Sequence, residues 1–173
     1  IARKLGYRQV FVTSDSEVRD ESYRWIWALN PYVDGFTDAA PSHATPDFAE
    51  VAEGENLLDR IMLSCGLDDG QRWHEPEFHY VPQFRPEYAN RVVYDPNFVS
   101  YVGDLATSQI PEVLTAAGLR PDCQLQLRKK HHGLEGLETV ATPTLFDYCD
   151  LIHSCQQFIC LTSGGATLAA ALG

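Results

Sequence analysis

The stretch QFICLTSGGATL, residues 157–168, joins an apolar run to a turn of hydroxyl and glycine residues and then to an alanine- and leucine-rich segment. A short apolar run without alternating polar residues is typical of a parallel strand that is buried on both faces. Residues 157–161 are therefore predicted to form such a strand, followed by a turn and a helix. This strand–turn–helix unit is the repeating unit of an α/β fold.

Similar units precede this stretch along the chain. Strands are predicted at residues 9–13, 32–36, 77–81, 91–94, 123–127 and 138–141, and helices at 17–29, 55–65, 108–117 and 142–155. Strands that alternate with helices indicate βαβ units and parallel sheets. Between residues 67 and 92 the helical periodicity is lost and prolines recur, which favours a domain boundary there.

The predicted fold class is therefore α/β, with two Rossmann-like halves built on parallel sheets. We assign residues 1–90 to an N-terminal half and residues 91–173 to a C-terminal half. The sequence opens and closes on patterns typical of helix ends. Each half is therefore expected to be incomplete, and the chain is interpreted as a fragment.

The composition is that of an acidic, core-forming protein. Of the 173 residues, 45% are apolar and 21% are charged, with a net charge of −11. A nucleic-acid interface needs a basic face, so this charge argues against a nucleic-acid partner. No apolar run reaches the roughly 18 residues of a transmembrane helix. The five cysteines are odd in number and lack C-x-x-C spacing, which favours reduced thiols in a cytoplasmic protein.

The turn after the strand at 157–161 is the candidate binding site. Its glycines allow a ligand to approach the backbone, and a helix that starts there offers free N–H groups to a phosphate or a sugar hydroxyl. In an open parallel sheet, ligands bind beyond the carboxyl ends of the strands, where this turn is expected. The candidate phosphate-binding residues are Thr162, Ser163, Gly164, Gly165 and Thr167. The alternative is a tight connection whose glycines serve packing alone.

Two other groups of residues are expected at the same edge of the sheet. Arg128 and Lys129 follow the strand at 123–127, where their charges can neutralise a diphosphate. A solvated charged loop is the alternative interpretation. Asp95 and Asn97 follow another strand and are weaker candidates for cleft residues.

Residues 148–173 resemble the donor-site region of bacterial heptosyltransferases and their relatives, glycosyltransferase family 9. In that family a helix and a strand lead into the motif Asn-Asp-Ser-Gly-Pro-x-His-Leu-Ala-Ala-Ala-Leu-Gly. Ser163 and Gly164 match this motif, whereas Thr162 and Thr167 stand where the family has an acidic residue and a histidine. The segment LNPYVD, at residues 29–34, resembles a second family motif in the N-terminal half.

The resemblance implies a GT-B enzyme with two Rossmann-like halves, 1–90 on the acceptor side and 91–173 on the donor side, that transfers a sugar from a nucleotide-diphosphate donor in the cleft between them. It implies a glycan or lipid-linked acceptor and no metal or other cofactor, in agreement with the lack of an Asp-x-Asp motif. The family's acceptor-side acid falls before Ile1, so no catalytic residue is assigned. Peripheral association with a membrane is left open.

At Thr162 and Thr167, hydroxyls replace a carboxylate and an imidazole that hold the donor sugar in the family. Either the donor differs or catalysis has been lost. A sugar-nucleotide epimerase of the same fold also places Ser-Gly-Gly before a helix. A non-catalytic nucleotide- or carbohydrate-binding module is the other alternative.

Overall fold

A computed structural model describes residues 2–13, 27–38, 57–67, 70, 77–97, 106–126, 132–161 and 163–173. The chain divides into two compact units, Ile1–His79 and Tyr80–Gly173. Residues 80–90 thus group with the second unit, whereas the sequence placed them in the N-terminal half. The assignment of the two halves to an acceptor side and a donor side stays a prediction.

The elements are those of an α/β protein. The strands are β1 (Phe11–Thr13), β2 (Gly35–Thr37), β3 (Val92–Asp95), β4 (Cys123–Leu125), β5 (Glu138–Val140) and β6 (Gln157–Cys160). The helices are α1 (Leu57–Ser64), α2 (Ile110–Ala116), α3 (Leu145–Ser154) and α4 (Gly164–Leu172), with single 3-10 turns at Pro86–Tyr88 and Thr107–Gln109. Of the helix predicted at 17–29, only residues 27–29 are described, and they are helical.

In the first unit, β1 and β2 pair in parallel, with Phe11 opposite Gly35. The Asp34 carboxylate accepts hydrogen bonds from the Val10 amide at 2.6 Å and from the Arg3 guanidinium at 2.8 Å. The Val10 hydrogen bond and the neighbouring Arg3 lower the pKa of Asp34. The last residue of the LNPYVD segment therefore ties the start of β2 to the residue just before β1.

In the second unit, four parallel strands lie in the order β5–β4–β3–β6. Numbered along the chain within this unit, they read 3-2-1-4, the arrangement of the first four strands of a doubly wound Rossmann sheet. The predicted α/β class and the parallel pairing are confirmed, while the complete two-half architecture stays a prediction. The order of the strands reverses between β3 and β6, and ligands of such sheets bind at the carboxyl ends of the strands at that point.

Helices cover both faces of this sheet. Neighbouring residues of β3 point to opposite faces, as in any strand. Val93 packs in a buried cluster with Leu151 of α3, and Tyr94 packs in another with Ile110 and Leu114 of α2. Because helices cover both faces at the centre of the sheet, β3 and β6 are mostly apolar rather than alternating, which is why they could be recognised in the sequence.

The start of α3 is fixed by a capping box. The Thr144 hydroxyl accepts a hydrogen bond from the Asp147 amide at 3.1 Å, and the Asp147 carboxylate accepts one from the Thr144 amide at 3.0 Å. These two bonds satisfy donors that a helix start otherwise leaves free. Since α3 follows β5, its first turn, including Tyr148, lies toward the carboxyl edge of the sheet.

The strand predicted at 77–81 is wrong, because these residues form no strand. The Tyr80 hydroxyl and the Gln83 amide donate instead to a side-chain oxygen of Asp150 in α3, at 2.9 and 2.8 Å. These hydrogen bonds to one carboxylate fix the end of the segment and the residues just after it against α3, without a neighbouring strand. The β-branched and aromatic residues of this segment misled the prediction because tertiary contacts outweigh local propensity.

Candidate functional site

The glycine turn lies between the carboxyl end of β6 and the start of α4, as predicted. Ser163 is the extended N-cap residue, and its carbonyl accepts hydrogen bonds from the Ala166 and Thr167 amides at 3.1 and 3.3 Å. Among the described residues, the amides of Gly164 and Gly165 have no hydrogen-bond partner. Two N–H groups are therefore available at the end of α4 where the helix dipole is positive.

The two glycines of the turn have different surroundings. Gly164 is exposed, and a Cβ added there has no heavy atom within 4 Å. Gly165 is buried, and a Cβ added there would lie 2.2 Å from the Tyr148 hydroxyl oxygen and 3.0 Å from an Asp95 carboxylate oxygen. Gly165 is therefore needed for packing, as the alternative interpretation of the turn requires. Gly164 is the position where the backbone stays open to a ligand.

Asp95 and Asn97, the weaker candidates, lie beside this turn because β3 and β6 are neighbours in the sheet. Asp95 is 4% exposed. Its Oδ1 accepts a hydrogen bond from the Asn97 amide at 2.8 Å, and its Oδ2 accepts one from the Tyr148 hydroxyl at 2.5 Å. The Asn97 side chain turns away and donates to the Gln126 carbonyl at 2.9 Å. Asp95 thus borders the turn, whereas Asn97 secures the chain that leaves β4.

Tyr148 is the residue of this site that sequence reasoning missed. Its ring packs on Phe158 of β6 with 5.9 Å between the ring centres, as expected of an apolar residue of α3. Its hydroxyl, however, reaches both Asp95 and the space over Gly165. The available signal was chemical, because a buried tyrosine usually needs a hydrogen-bond partner for its hydroxyl.

Part of the predicted site lies outside the described residues, namely Thr162, Arg128 and Lys129. Thr167 is described, and it is exposed in the first turn of α4. His132 follows the basic residues Arg128 and Lys129 in the sequence, and its carbonyl accepts a hydrogen bond from the Tyr94 hydroxyl at 3.1 Å. The neutralising role of the basic run stays a prediction.

Cys160, the last residue of β6, lies opposite Asp95 in the pairing of β6 with β3. Burial, together with the nearby Asp95 charge, raises the pKa of Cys160. Burial likewise raises the pKa of Cys149 and of Cys155, each to about 11. These cysteines therefore carry protonated thiols near neutral pH, a form that is a poor nucleophile.

The described part of the chain holds neither a cluster of metal ligands nor an apolar helix of membrane-spanning length. No group of three or more histidine, cysteine, aspartate or glutamate side chains in it is placed to hold a metal ion. None of its helices is long and apolar enough to cross a bilayer.

Comparison of the chain with models of protein families, with curated proteins and with solved structures gave no match. The resemblance to heptosyltransferases therefore stays a prediction. The geometry of the turn and the order of the strands are the observations on which a function can be proposed.

Proposed function

We propose that this chain binds the diphosphate of a nucleotide sugar at the turn formed by Ser163, Gly164 and Gly165, as part of a metal-independent GT-B glycosyltransferase. One observation carries the proposal. The turn, with two amides that have no partner among the described residues, lies at the carboxyl edge where the strand order reverses. Helix starts of this kind bind anions through their N–H groups and their dipole. The resemblance of the surrounding sequence to heptosyltransferases supports a sugar nucleotide as the ligand.

The surroundings of the turn restrict where the phosphate can lie. The Asp95 carboxylate borders the Gly165 side, so a phosphate there would be repelled by a buried charge. The Gly164 side is open. The diphosphate is therefore proposed to bind over Ser163 and Gly164, with Arg128 and Lys129 as its cationic partners.

In the proposed reaction, an acceptor oxygen forms a bond to the anomeric carbon while the bond from that carbon to the diphosphate oxygen breaks. The bonding electrons go to the leaving diphosphate, and the acceptor's proton goes to a general base that is not assigned here. Amides aimed at the phosphate stabilise the charge that develops on the leaving group. Thr162 and Thr167 are proposed to hydrogen-bond the donor sugar through their hydroxyl groups.

The first test is ligand-dependent thermal stabilisation by UDP, GDP and ADP. We expect at least one of them to raise the melting temperature of the wild-type chain, because a ligand that binds only the folded state stabilises it. Gly164→Asp should abolish this shift, since it places a carboxylate where the phosphate binds. Ala170→Asp, an exposed position near the other end of α4, is the control of equal charge. An unchanged melting temperature with all three nucleotides, or equal loss in both variants, would contradict the proposal.

Turnover assays with nucleotide sugars on the same protein distinguish the transferase from the epimerase and the binding module. A transferase releases nucleoside diphosphate from a nucleotide sugar, and an acceptor speeds this release. An epimerase interconverts nucleotide sugars without an acceptor. A binding module is stabilised by the ligand but gives neither reaction, which is the outcome expected if the hydroxyls of Thr162 and Thr167 cannot replace the family's carboxylate and imidazole.

A further inference from the structure

A single hydroxyl group closes the inner side of the glycine turn. The Tyr148 hydroxyl donates a hydrogen bond to Oδ2 of Asp95, and its oxygen lies 2.2 Å from the position that a Cβ of Gly165 would take. The ring of Tyr148 packs on Phe158 with an interplanar angle of 72°. One side chain of α3 therefore contacts the end of β3, the strand β6 and the start of α4.

This hydroxyl holds two features in place at once. Asp95 is almost fully buried, and among the described residues its hydrogen bonds come from neutral donors. Without the Tyr148 hydroxyl, Oδ2 of this carboxylate would lose that donor, and a buried acceptor without a donor is costly. The space over Gly165 would also open, so the start of α4 could shift toward it.

We propose that Tyr148 is a positioning residue for phosphate binding, and this inference rests on the function proposed above. Its hydroxyl fixes the carboxylate of Asp95 and the backbone of Gly165, and thereby the orientation of the preceding Gly164 amide, which points toward the phosphate. Tyr148 acts through Gly165 and does not itself touch the ligand. The glycine at 165 and the tyrosine at 148 are thus a matched pair, because the hydroxyl fills the volume that the missing Cβ leaves.

The test is a double-mutant cycle on these two positions. The variants are Gly165→Ala, Tyr148→Phe and the two combined, and the measurement is the Kd of the nucleoside diphosphate, among UDP, GDP and ADP, that stabilises the wild type most. Gly165→Ala should weaken binding about tenfold or more, because residues in contact couple by a free energy that corresponds to such ratios. Adding Tyr148→Phe should bring the Kd back to about that of Tyr148→Phe alone, since it removes the nearest atom that the new Cβ meets.

A matched control separates positioning from general stability. Tyr80→Phe removes another tyrosine–aspartate hydrogen bond of the same unit, the one to Asp150. We expect Tyr148→Phe alone to weaken the diphosphate several-fold and Tyr80→Phe to leave its Kd unchanged, whatever each does to the melting temperature. If both variants change the Kd equally, the positioning role is overturned.

The remaining outcomes distinguish this inference from the proposed function. If the wild type binds none of the three nucleotides, both are overturned. If it binds one and the double variant is no better than Gly165→Ala, only the positioning role is overturned. Should Gly165→Ala fail to fold, the double variant is compared with Tyr148→Phe. If the double variant folds and its Kd is close to that of Tyr148→Phe, the inference is supported. If the double variant also fails to fold, the inference is overturned.

Discussion

Two aspartates of the second unit are buried to nearly the same degree, yet their surroundings differ in kind. Asp150 is 1% exposed and Asp95 is 4% exposed. Oδ2 of Asp150 accepts two hydrogen bonds from the Arg85 guanidinium, at 3.0 and 2.8 Å. Oδ1 of Asp150 accepts one from the Tyr80 hydroxyl and one from the Gln83 amide. The charge of Asp150 is therefore paired, and its hydrogen bonds hold the segment that leads into the unit.

Asp95 has no such cation among the described residues. Its hydrogen bonds come from the Asn97 amide and the Tyr148 hydroxyl, and it borders the turn at Gly165. In the described part of the chain, Asp95 is thus held by neutral groups, whereas a guanidinium pairs with Asp150. A fully paired buried carboxylate such as Asp150 indicates a structural role, whereas one held by neutral groups beside a turn indicates a candidate site.

The proton affinities around Asp150 agree with a structural ion pair. Burial tends to raise the pKa of Asp150, but the hydrogen bonds from Gln83, Tyr80 and Arg85 together outweigh it, so the pKa is lowered. Burial and the hydrogen bond to Asp150 raise the pKa of Tyr80 to about 12. The carboxylate is therefore ionised and the phenol protonated across the neutral range.

The sharpest test of the comparison is to replace each aspartate by asparagine. In Asp150→Asn, the new amide group points its own donors at the Arg85 guanidinium, and breaking a buried pair in this way should cost about 3 kcal/mol of unfolding free energy. In Asp95→Asn, the Tyr148 hydroxyl can turn to accept from the new amide, so the cost should stay below about 1 kcal/mol. Urea unfolding of both variants measures the difference. Equal costs would remove the distinction between the two aspartates.

We expect a smaller loss of stability from removing the Arg85 cation than from removing the Asp150 carboxylate. Arg85→Met keeps the aliphatic stem but leaves Asp150 with neutral donors only, which makes it resemble Asp95. We expect the melting temperature to fall by about 4 °C, less than in Asp150→Asn because solvent reaches part of the guanidinium. Arg91→Met is the matched control, since its partner Glu138 is 61% exposed and exposed pairs contribute little. A fall as large in Arg91→Met would show that ion pairing at Asp150 is not special.

The smallest expected effect is a difference in the pH dependence of stability. The folded pKa of Asp150 lies below its unfolded value, so the unfolded chain binds more protons in acid. The contribution of the pair is complete above about pH 5 and is lost as the pH falls below about 3.9 and through the folded pKa. Between about pH 5 and about pH 3, Asp150→Asn should therefore lose less stability than the wild type. Urea unfolding at about pH 5 and about pH 3 tests this, and parallel losses would contradict it.

Local sequence patterns were sufficient for most of the elements. Apolar runs identified β3, β4 and β6 because parallel strands covered on both faces contain few polar residues. The start of α3 was predicted close to where Thr144 caps it, since capping depends on side chains three residues apart. The one wrong strand, at 77–81, lies where the Tyr80 side chain is held by Asp150, 70 residues away in sequence.

The candidate site, too, was predicted only where its residues are close together in the chain. The glycine turn was found because a strand, a turn and a helix are consecutive in the chain. The role of Tyr148 was not found, because its partner Asp95 is 53 residues distant in sequence and is brought close only by the pairing of β3 with β6. Sequence also gave the two glycines equal weight, whereas the structure separates an open Gly164 from a packed Gly165.

The sequence by itself determined that strands and helices alternate, that the sheets are parallel, and that a glycine turn follows the last strand, because these features depend on residues close together in the chain. Only the tertiary structure decided the neighbours of each strand, the partners of the two buried aspartates, and the closure of the turn by a tyrosine hydroxyl. Those features depend on groups that are distant along the chain, and their hydrogen bonds form only when the elements have packed.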